Sequence, residues 1–386
     1  MNVLHVVPSF YPATHWGGPI HSVLGLCRGL AREPDLQLKV LTTDTAGVKL
    51  HQRLLPACNP TQFPDGFSVL YCRRMAGISI APGLVRQLFP AVGWADVVHL
   101  TAVYSFPTLP TLLVSRLFGK PVVWSPRGAL QRWEGTRKPR LKWLWNKLCG
   151  RLLARDSCIV HVTSDLEFQN SRVFFPDLRY RIIANGVEIP EPPSARSWRP
   201  QGALRLLYMG RLDVKKGLEN LFTALAEIEK CDWSLTVCGS GNAGYEEKLK
   251  LMTRNLGIAA RVAFLGHIDG EEKTRAYEGA DISVVPSHVE NFGQVIAEAL
   301  AHGVPVIASK GTPWSDLEPR GCGLWVDASP AELASAIRRL SGADLAAMGK
   351  RGREWMRESF SWTKIAREMA GAYSSLVNQD HAAIAE

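Results

Sequence analysis

Short apolar segments alternate with helical patterns along the whole chain, and this alternation limits the possible folds more than any other feature of the sequence. A strand-and-helix alternation is typical of parallel sheets, and strands that are apolar throughout are covered by helices on both faces. The sequence therefore predicts an α/β fold with doubly wound parallel sheets. The segments are NVLHVV, QLKVLTT, FSVLYC, DVVHL, PVVWS, SCIVHV and YRIIA, then LRLLYMG, WSLTVCG, RVAFLG, DISVVP, PVIAS and GLWVD.

The alternation is interrupted by EIPEPPSARSWRPQG, a proline-rich segment without periodicity that is typical of a linker. A length of 386 residues also suits two domains. Ligands of such sheets bind beyond the carboxyl ends of the strands, so we expect the active site in a cleft between the domains. The predicted parts are a Rossmann-like domain over 1–187, a linker over 188–203, a second Rossmann-like domain over 204–360, and a C-terminal helix and tail over 361–386, which the sequence assigns to neither domain.

The composition, with 46% hydrophobic and 21% charged residues, is that of a soluble globular protein. The N-terminus is predicted to form a buried strand and lacks the features of a secretory signal, and no run of about 18 apolar residues could span a bilayer. The eight cysteines have neither zinc-site nor disulfide-framework spacing. We therefore expect a cytoplasmic protein with reduced thiols.

Much of the formal net charge of +9 comes from the segment between Gln131 and Arg155, which contains eight basic residues and one acidic residue. Within this stretch, residues 138–155 combine helical spacing of apolar residues with cations on the remaining faces. Two interpretations stay open: the helix packs its apolar stripe on the N-terminal domain, or its cations contact an anionic membrane surface. The stripe is Leu141, Leu144, Trp145, Leu148 and Leu152, and the cations are Arg140, Lys142, Lys147 and Arg151.

The clearest chemical signal lies in PSHVENFGQVIAEALAHGVPVIAS, residues 286–309. Glu290 and Glu298 flank the start of a predicted helix near Gly293, whose unpaired N–H groups and positive partial charge suit a diphosphate. The glycine permits close approach of a ligand to the backbone. We expect the carboxylates to accept hydrogen bonds from sugar and ribose hydroxyls. In the alternative, Glu290 caps the helix and Glu298 lies on a solvated face.

This segment resembles the E-x7-E motif of the GT-B glycosyltransferases of family 4. Three further segments resemble the family in the same order: GGPIHSVLGLCRGLA at 17–31, NGV at 185–187, and GRLDVKKGLENL at 210–221. The resemblance implies two Rossmann-like domains that face each other across a cleft, a UDP- or GDP-sugar donor held mainly by the second, and transfer with retention at the anomeric carbon. It also implies a glycan or lipid-linked acceptor, in cell-surface polysaccharide or lipopolysaccharide synthesis.

The same resemblance implies roles for single residues. Arg211 and Lys216 would hold the diphosphate and stabilise its departing charge together with Glu290, so no metal or other cofactor is expected. Near the end of the strand DVVHL, His99 and Thr101 would face the cleft on the acceptor side together with Arg127, although His99 is equally well explained as a core residue. Donor contacts are expected at Gly17, Gly18, Gly239, Gly241, Asn291, Phe292, Gly293 and Glu298.

Other functions stay open. A sugar-nucleotide epimerase or hydrolase of the same fold would use a similar donor site, and so would a catalytically silent sugar-nucleotide-binding subunit. A nucleic-acid-binding protein would explain the net charge of +9. No recognised nucleic-acid module occurs in the sequence, however, and we expect no nucleic-acid partner.

Overall fold

The computed structural model describes residues 1–14, 17–46, 54, 59–77, 79–131, 139–192, 196–198, 202–228 and 231–384. The chain forms two compact units, the first made of Met1–Gly186 with Trp362–Glu386 and the second of Val187–Ser361. Each unit has its own sheet with helices packed against it, so the predicted fold class is confirmed. None of the helices in the described ranges is long and apolar enough to cross a membrane.

The first unit contains, within the described residues, an eight-stranded sheet in the order β3-β4-β2-β1-β5-β6-β7-β8. Neighbouring strands are parallel except β3, which pairs antiparallel with β4 at the edge of the sheet. The strands are β1 Asn2–Val6, β2 Gln37–Thr43, β3 Pro60–Gln62, β4 Ser68–Cys72, β5 Val97–Thr101, β6 Val122–Ser125, β7 Cys158–Val162 and β8 Tyr180–Ile182. The helices are α1 Gly18–Leu30, α2 Pro82–Trp94, α3 Thr108–Leu117, α4 Pro139–Leu153 and α5 Asp165–Arg172, joined by the last helix of the chain, α12 Trp362–Ile384.

The sheet of the first unit has a core on each face, because successive side chains of a strand point to opposite sides. Val3 lies in the core that α1 and α12 cover, and Leu4 lies in the core covered by α2, α3 and α4. The last helix is held to this unit by Trp362, whose ring occupies the space beside two glycines. A Cβ atom at Gly25 would come within 2.2 Å of that ring, and one at Gly186 within 2.4 Å.

The second unit has a six-stranded sheet in its described part, in the order β11-β10-β9-β12-β13-β14, and all its pairs are parallel. Each apolar segment named from the sequence forms a strand of one sheet or the other. The strands are β9 Leu204–Met209, β10 Trp233–Cys238, β11 Val262–Gly266, β12 Ile282–Val285, β13 Val306–Ser309 and β14 Gly323–Val326. The helices are α6 Leu218–Ala226, α7 Ala243–Asn255, α8 Gly270–Glu278, α9 Gln294–Ala301, α10 Pro330–Ser341 and α11 Leu345–Ser359.

Part of the segment that we predicted as a linker packs against the second unit. The guanidinium of Arg196 donates hydrogen bonds to the carbonyls of His302 at 2.9 Å and Tyr277 at 3.1 Å, and also to that of Ala280. It stacks on the ring of Trp198 at 4.2 Å. The carbonyls that accept these bonds lie at the C-terminal ends of α8 and α9, where a helix leaves carbonyls without partners. The bonds fix Arg196 against the second unit.

Candidate active site

The strand order of the second sheet reverses between β9 and β12, since β9 continues to β10 on one side and β12 to β13 on the other. Such a reversal opens a crevice at the carboxyl ends of the two strands, where ligands of α/β sheets bind. The loop after β9 carries Arg211 and Lys216, and the loop after β12 carries Glu290, Asn291 and Phe292. The sheet topology therefore places these predicted site residues at one position.

The two loops hold each other through their backbones. The loop after β9 forms a 3-10 turn that ends at Gly217, where φ is 69°. A Cβ at Gly217 would lie 2.2 Å from the carbonyl oxygen of Pro286 in the other loop, so only glycine permits this approach. The N–H of His288 donates to the carbonyl of Lys215 at 2.8 Å. These backbone contacts hold the two loops that carry Lys216 and Glu290 in a fixed position relative to each other.

Lys216 and Glu290 form an ion pair across these loops. The side chains are 15% and 12% exposed, and Ser287 Oγ donates to the same carboxylate oxygen at 2.9 Å. The N–H of Glu290 donates to the carbonyl of Gly311 at 2.8 Å, which fixes the backbone. Gly293, rather than Glu290, occupies the N-cap position of α9. The capping alternative is therefore wrong, and Glu290 is an oriented carboxylate.

Positive charge accumulates around this ion pair. The guanidinium of Arg211 is exposed and makes no ion pair or hydrogen bond with any residue that the structure describes. Burial and the nearby charges of Arg211 and Lys216 lower the pKa of Lys215. The carboxylates of Asp213 and Glu290 offset only part of this charge. A turn with an excess of cations at the carboxyl end of a parallel strand suits an anionic ligand.

The start of α9 depends on Gly293, which has φ of 77°. The ring of Phe292 is 5% exposed and packs edge-on against Trp314 at 5.3 Å, and Trp314 Nε1 donates to the carbonyl of Phe292 at 2.5 Å. Phe292 is therefore a core aromatic, and the donor contact predicted there is restricted to its backbone. Asn291 is half-buried beside it. The backbone N–H groups at this helix start remain the predicted diphosphate contact.

Glu298 does not lie on a solvated face, because its side chain is only 14% exposed. One carboxylate oxygen accepts a hydrogen bond from Lys273 Nζ at 2.7 Å, and the other accepts one from the Tyr277 hydroxyl at 3.1 Å. The ring of Tyr277 stacks on His302 at 4.7 Å. Sequence reasoning missed Lys273 and Tyr277, since nothing local to either residue indicates that α8 packs beside α9.

Gly239 and Gly241 have a packing role in the structure. A Cβ at Gly239 would lie 1.7 Å from the carbonyl oxygen of Gly210, and one at Gly241 would lie 2.1 Å from that of Leu212. The N–H of Leu212 donates to the carbonyl of Ser240 at 3.0 Å. The loop after β10 thereby supports the loop that carries the two candidate cations. A direct contact of these glycines with the donor stays a prediction.

In the first unit, Gly17 and Gly18 lie at the start of α1, beside the place where the order of the first sheet reverses between β1 and β5. Gly17 is the N-cap residue with φ of 76°, and no side chain at that position caps the helix. A backbone in this region of φ favours glycine. The geometry suits an anion at the helix start, and contact with the donor remains a prediction.

The prediction that His99 and Thr101 face a cleft is wrong, because both side chains are buried within the first unit. His99 Nδ1 pairs with the hydroxyl of Tyr373 and Nε2 with Ser125 Oγ, each at 2.6 Å. Thr101 Oγ1 pairs with Nε2 of His5 at 2.8 Å. Tyr373 belongs to α12, so the last helix is what encloses His99, and the core alternative for His99 is the correct one.

Three buried histidines form one group across this sheet, joined by ring stacking and by hydrogen bonds. His5 stacks on His99 at 4.3 Å, and Ser125 Oγ links His99 to Nδ1 of His161 at 2.7 Å. Burial, with the nearby charge of Arg127, lowers the pKa of His5 and of His161 to about 3. Burial also lowers the pKa of His99 well below its ordinary value. All three rings are therefore uncharged at neutral pH.

Arg127 lies after β6 with φ of 52°, a value that is uncommon for residues other than glycine. Its guanidinium donates to Asn185 Oδ1, in the NGV segment, and burial lowers its pKa. Glu167 is 1% exposed and accepts a hydrogen bond from the N–H of Gly128 at 2.6 Å. A polar group is thus assembled here at the carboxyl end of the sheet, and its contact with the acceptor stays a prediction.

The basic segment 138–155 forms α4 from Pro139 onward, and residue 138 lies outside the described residues. The predicted stripe is only partly correct. Trp145 packs inward and donates from Nε1 to the carbonyl of Val103 at 2.8 Å, beside the buried Cys149. The leucines at positions 141, 144 and 148 are exposed by 56%, 48% and 39%. The helix therefore has a packed face and a separate exposed apolar face.

Two family models match the chain, described as "Glycosyl transferase 4-like domain" over residues 17–186 and "Glycosyl transferases group 1" over 194–355. A D-inositol 3-phosphate glycosyltransferase from Corynebacterium diphtheriae is 35% identical over 186 residues, which are 45% of this chain and 43% of that protein. The chain spans about half the length of the curated relatives it matches.

Among the described residues, no group of three or more His, Cys, Asp or Glu side chains could hold a metal ion.

Solved structures of low sequence identity share the fold. Sucrose-phosphate synthase from Thermosynechococcus elongatus has a TM-score of 0.74 at 21% identity, with 98% of this chain and 99% of that chain covered. HepE from Anabaena, in complex with UDP-glucose, has a TM-score of 0.72 at 20% identity, with 97% and 100% covered. With both domain models present in order, the chain belongs to the GT-B glycosyltransferases of family 4.

Proposed function

We propose that the chain is a hexosyltransferase that moves a sugar, with retention at the anomeric carbon, from a UDP- or GDP-sugar to a glycan or lipid-linked acceptor. The acceptor would belong to cell-surface polysaccharide or lipopolysaccharide synthesis. The observation that carries the proposal is the cationic turn of Arg211, Lys215 and Lys216 at the switch point of the second sheet, beside the ion-paired Glu290. The UDP-glucose complex of the similar HepE structure supports a sugar-nucleotide donor.

On the donor side, the diphosphate is held by Arg211, Lys216 and the N–H groups at the start of α9. Charge-assisted hydrogen bonds of this kind are about twice as strong as neutral ones. Binding of the anion gives Lys216 a second partner and leaves Glu290 able to accept bonds from sugar hydroxyls. Glu298, already oriented by Lys273, accepts from the ribose hydroxyls.

The reaction needs no protein nucleophile. The bond between the anomeric carbon and the diphosphate oxygen breaks, and a bond to the acceptor oxygen forms on the same face. The acceptor proton passes to an oxygen of the leaving phosphate. Arg211 and Lys216 stabilise the negative charge that develops on that phosphate, which is the role a magnesium ion would otherwise have. We therefore propose that activity is independent of metal ions.

We further propose that the protein is cytoplasmic and that α4 contacts an anionic membrane surface. The helix contains no acidic residue, and it packs beside α3, which packs beside α2, neither of which has an acidic residue. Each cation near an anionic leaflet adds roughly 1 kcal/mol of attraction. Exposed apolar residues accompany the cations on these helices: Phe89, Leu113, Leu117, Leu141, Trp143, Leu144 and Leu148.

Co-sedimentation tests the membrane contact. We expect binding to vesicles with anionic lipid and none to neutral vesicles, with weakening by salt and by the combined changes Arg140→Glu, Lys142→Glu and Lys147→Glu. Equal recovery of the wild type and this variant in the supernatant would show that the helix does not contact membranes.

A thermal-shift panel of UDP, GDP, ADP and their sugars tests the donor site. A ligand at 100 times its dissociation constant stabilises by roughly 2.7 kcal/mol, so a UDP or GDP compound is expected to raise the unfolding temperature. Glu298→Ala should reduce the shift given by the same nucleotide. Product analysis then separates transfer from the epimerase and hydrolase alternatives. A panel with no shift for any nucleotide would refute the proposed donor.

A further inference from the structure

A cavity of about 930 Å³ lies entirely within the first unit, apart from the donor site. It is lined by residues of α4 and by residues 173–178, which follow α5. Residues 129–131, directly after Arg127 and Gly128, also line it. Volumes of this size are typical of sites for small organic molecules. Lys142, Trp143 and Lys147 of the proposed membrane contact line this cavity, whereas the residues of the proposed donor site do not.

The walls are largely apolar. Among the lining residues, Trp143 is 64% exposed and Val173 is 60% exposed. Phe174 and Phe175 also line the cavity. A soluble protein that leaves a tryptophan and a valine this exposed beside a cavity has an apolar surface available to a ligand.

The same cavity is lined by Lys142, Lys147 and Arg151, while Asp177 is its only acidic lining residue among those described. None of the three cations forms an ion pair with a residue in the described ranges. Two of them rest on aromatic rings, Lys147 over Trp143 at 5.1 Å and Lys142 over Tyr104 at 4.8 Å. Cations and aromatic carbon therefore border one space, which suits a ligand with an anionic head and a hydrocarbon tail.

We propose that this groove binds the phosphate-bearing lipid to which the acceptor is attached. The phosphate pairs with Lys147 and Arg151, and the first part of the hydrocarbon lies against Trp143 and the aromatic wall. This inference rests on the proposed function, because it specifies the acceptor class. Residues 129–131 of the groove lining follow Arg127 in the loop at the carboxyl end of β6, the edge of the sheet where ligands of this fold bind. The groove would thus lead a lipid-linked acceptor toward that edge.

Gly150 offers a sharp test, because it lies on α4 in the lining of the groove. A Cβ there would meet Phe175 at 3.4 Å, an ordinary contact, and leucine has a higher helix propensity than glycine. Gly150→Leu should therefore fill the groove and leave the helix intact. Gly371→Leu is the matched control, since Gly371 is an exposed glycine of α12 with nothing within 4 Å of its Cβ position.

The probe is decyl phosphate below its micellar concentration, with decanol and inorganic phosphate for comparison, and the measurement is titration calorimetry on the full chain. We expect decyl phosphate to bind at least tenfold more tightly than either comparison compound. Gly150→Leu should weaken it at least tenfold, and Gly371→Leu should not change it. Equal affinity of Gly150→Leu and wild type, or of decyl phosphate and decanol, would overturn the proposal.

A second variant guards against misfolding of the first. Lys147→Glu combined with Arg151→Glu changes exposed side chains only, and should weaken decyl phosphate at least tenfold while decanol binding is unchanged. Unchanged decyl phosphate binding in this variant would also overturn the proposal. The nucleotide thermal shift, which reports on the second unit, should persist in every variant. Its absence from the wild type would refute the donor proposal and leave the groove result standing.

Discussion

Replacing Lys216 with alanine removes the cation that joins the two loops of the candidate donor site. Lys216 is paired with Glu290 and is 15% exposed, so water replaces it poorly. Removing one preorganised group that stabilises transition-state charge commonly lowers kcat by about a hundredfold or more. At 1.36 kcal/mol for each factor of ten, a hundredfold loss corresponds to about 2.7 kcal/mol of lost transition-state stabilisation.

The same change leaves Glu290 without its cation in a site where it is 12% exposed. Ser287 still donates to this carboxylate, so the expected cost in unfolding free energy is roughly 1 to 3 kcal/mol. If kcat falls by much more than the loss of folded protein can explain, the substitution therefore acts on the reaction and not only on folding.

The assay is steady-state transfer with the donor found in the thermal-shift panel, together with chemical unfolding of each variant. Lys250→Ala is the control, because Lys250 also pairs with a carboxylate, that of Glu247, but on an exposed helix surface. Surface pairs of this kind contribute little, so this variant should behave as wild type. A kcat for Lys216→Ala within threefold of wild type, with the protein folded, would refute the assigned role.

Three other results are expected. Transfer should survive excess EDTA, because side-chain cations occupy the place of a metal, and activity that is lost and then restored by magnesium would contradict this. Gly239→Ala should lower the unfolding free energy by more than about 2 kcal/mol in urea titrations, since its Cβ would lie 1.7 Å from a carbonyl oxygen, whereas Gly257→Ala, with open space around it, should cost less. An unfolded histidine gains its proton near pH 6.5, but folded His161 does so only near pH 3, so the stability that is fully present above pH 6.5 falls as pH drops toward 3. His161→Gln should reduce that slope by about 1.4 kcal/mol per pH unit between pH 6 and 4 in urea titrations at successive pH values, and an unchanged slope would contradict the buried neutral state.

Strand positions were predictable from the sequence, because strands covered by helices on both faces are continuous apolar runs that can be recognised without knowledge of the fold. The exception is β3, whose three residues Pro-Thr-Gln lack any apolar pattern and pair at an edge. The positions of Arg211, Lys216 and Glu290 at the carboxyl ends of strands also followed, because the alternation places each residue after a strand. Their mutual contacts did not, since a contact between loops depends on the sheet order.

Side chains within strands were harder to assign. His99 lies in a run that is buried throughout, and its enclosure depends on Tyr373, which is 274 positions away in the chain. The exposed leucines of α4 share one predicted stripe with Trp145, because helical spacing alone does not show which of two apolar faces meets the core. Such assignments depend on contacts between distant segments, which periodicity does not encode.

The insertion of the whole second unit between Gly186 and Trp362 has a consequence for synthesis. Domains usually fold in the order in which the ribosome makes them, N-terminal first. Here the first unit is the first to be synthesised but the last to complete its fold. The space beside Gly25 and Gly186 is filled only when Trp362 leaves the ribosome. During synthesis of the second unit, one face of the first sheet is therefore covered by α1 but not yet by α12, and the apolar side chains that α12 buries stay exposed for that time.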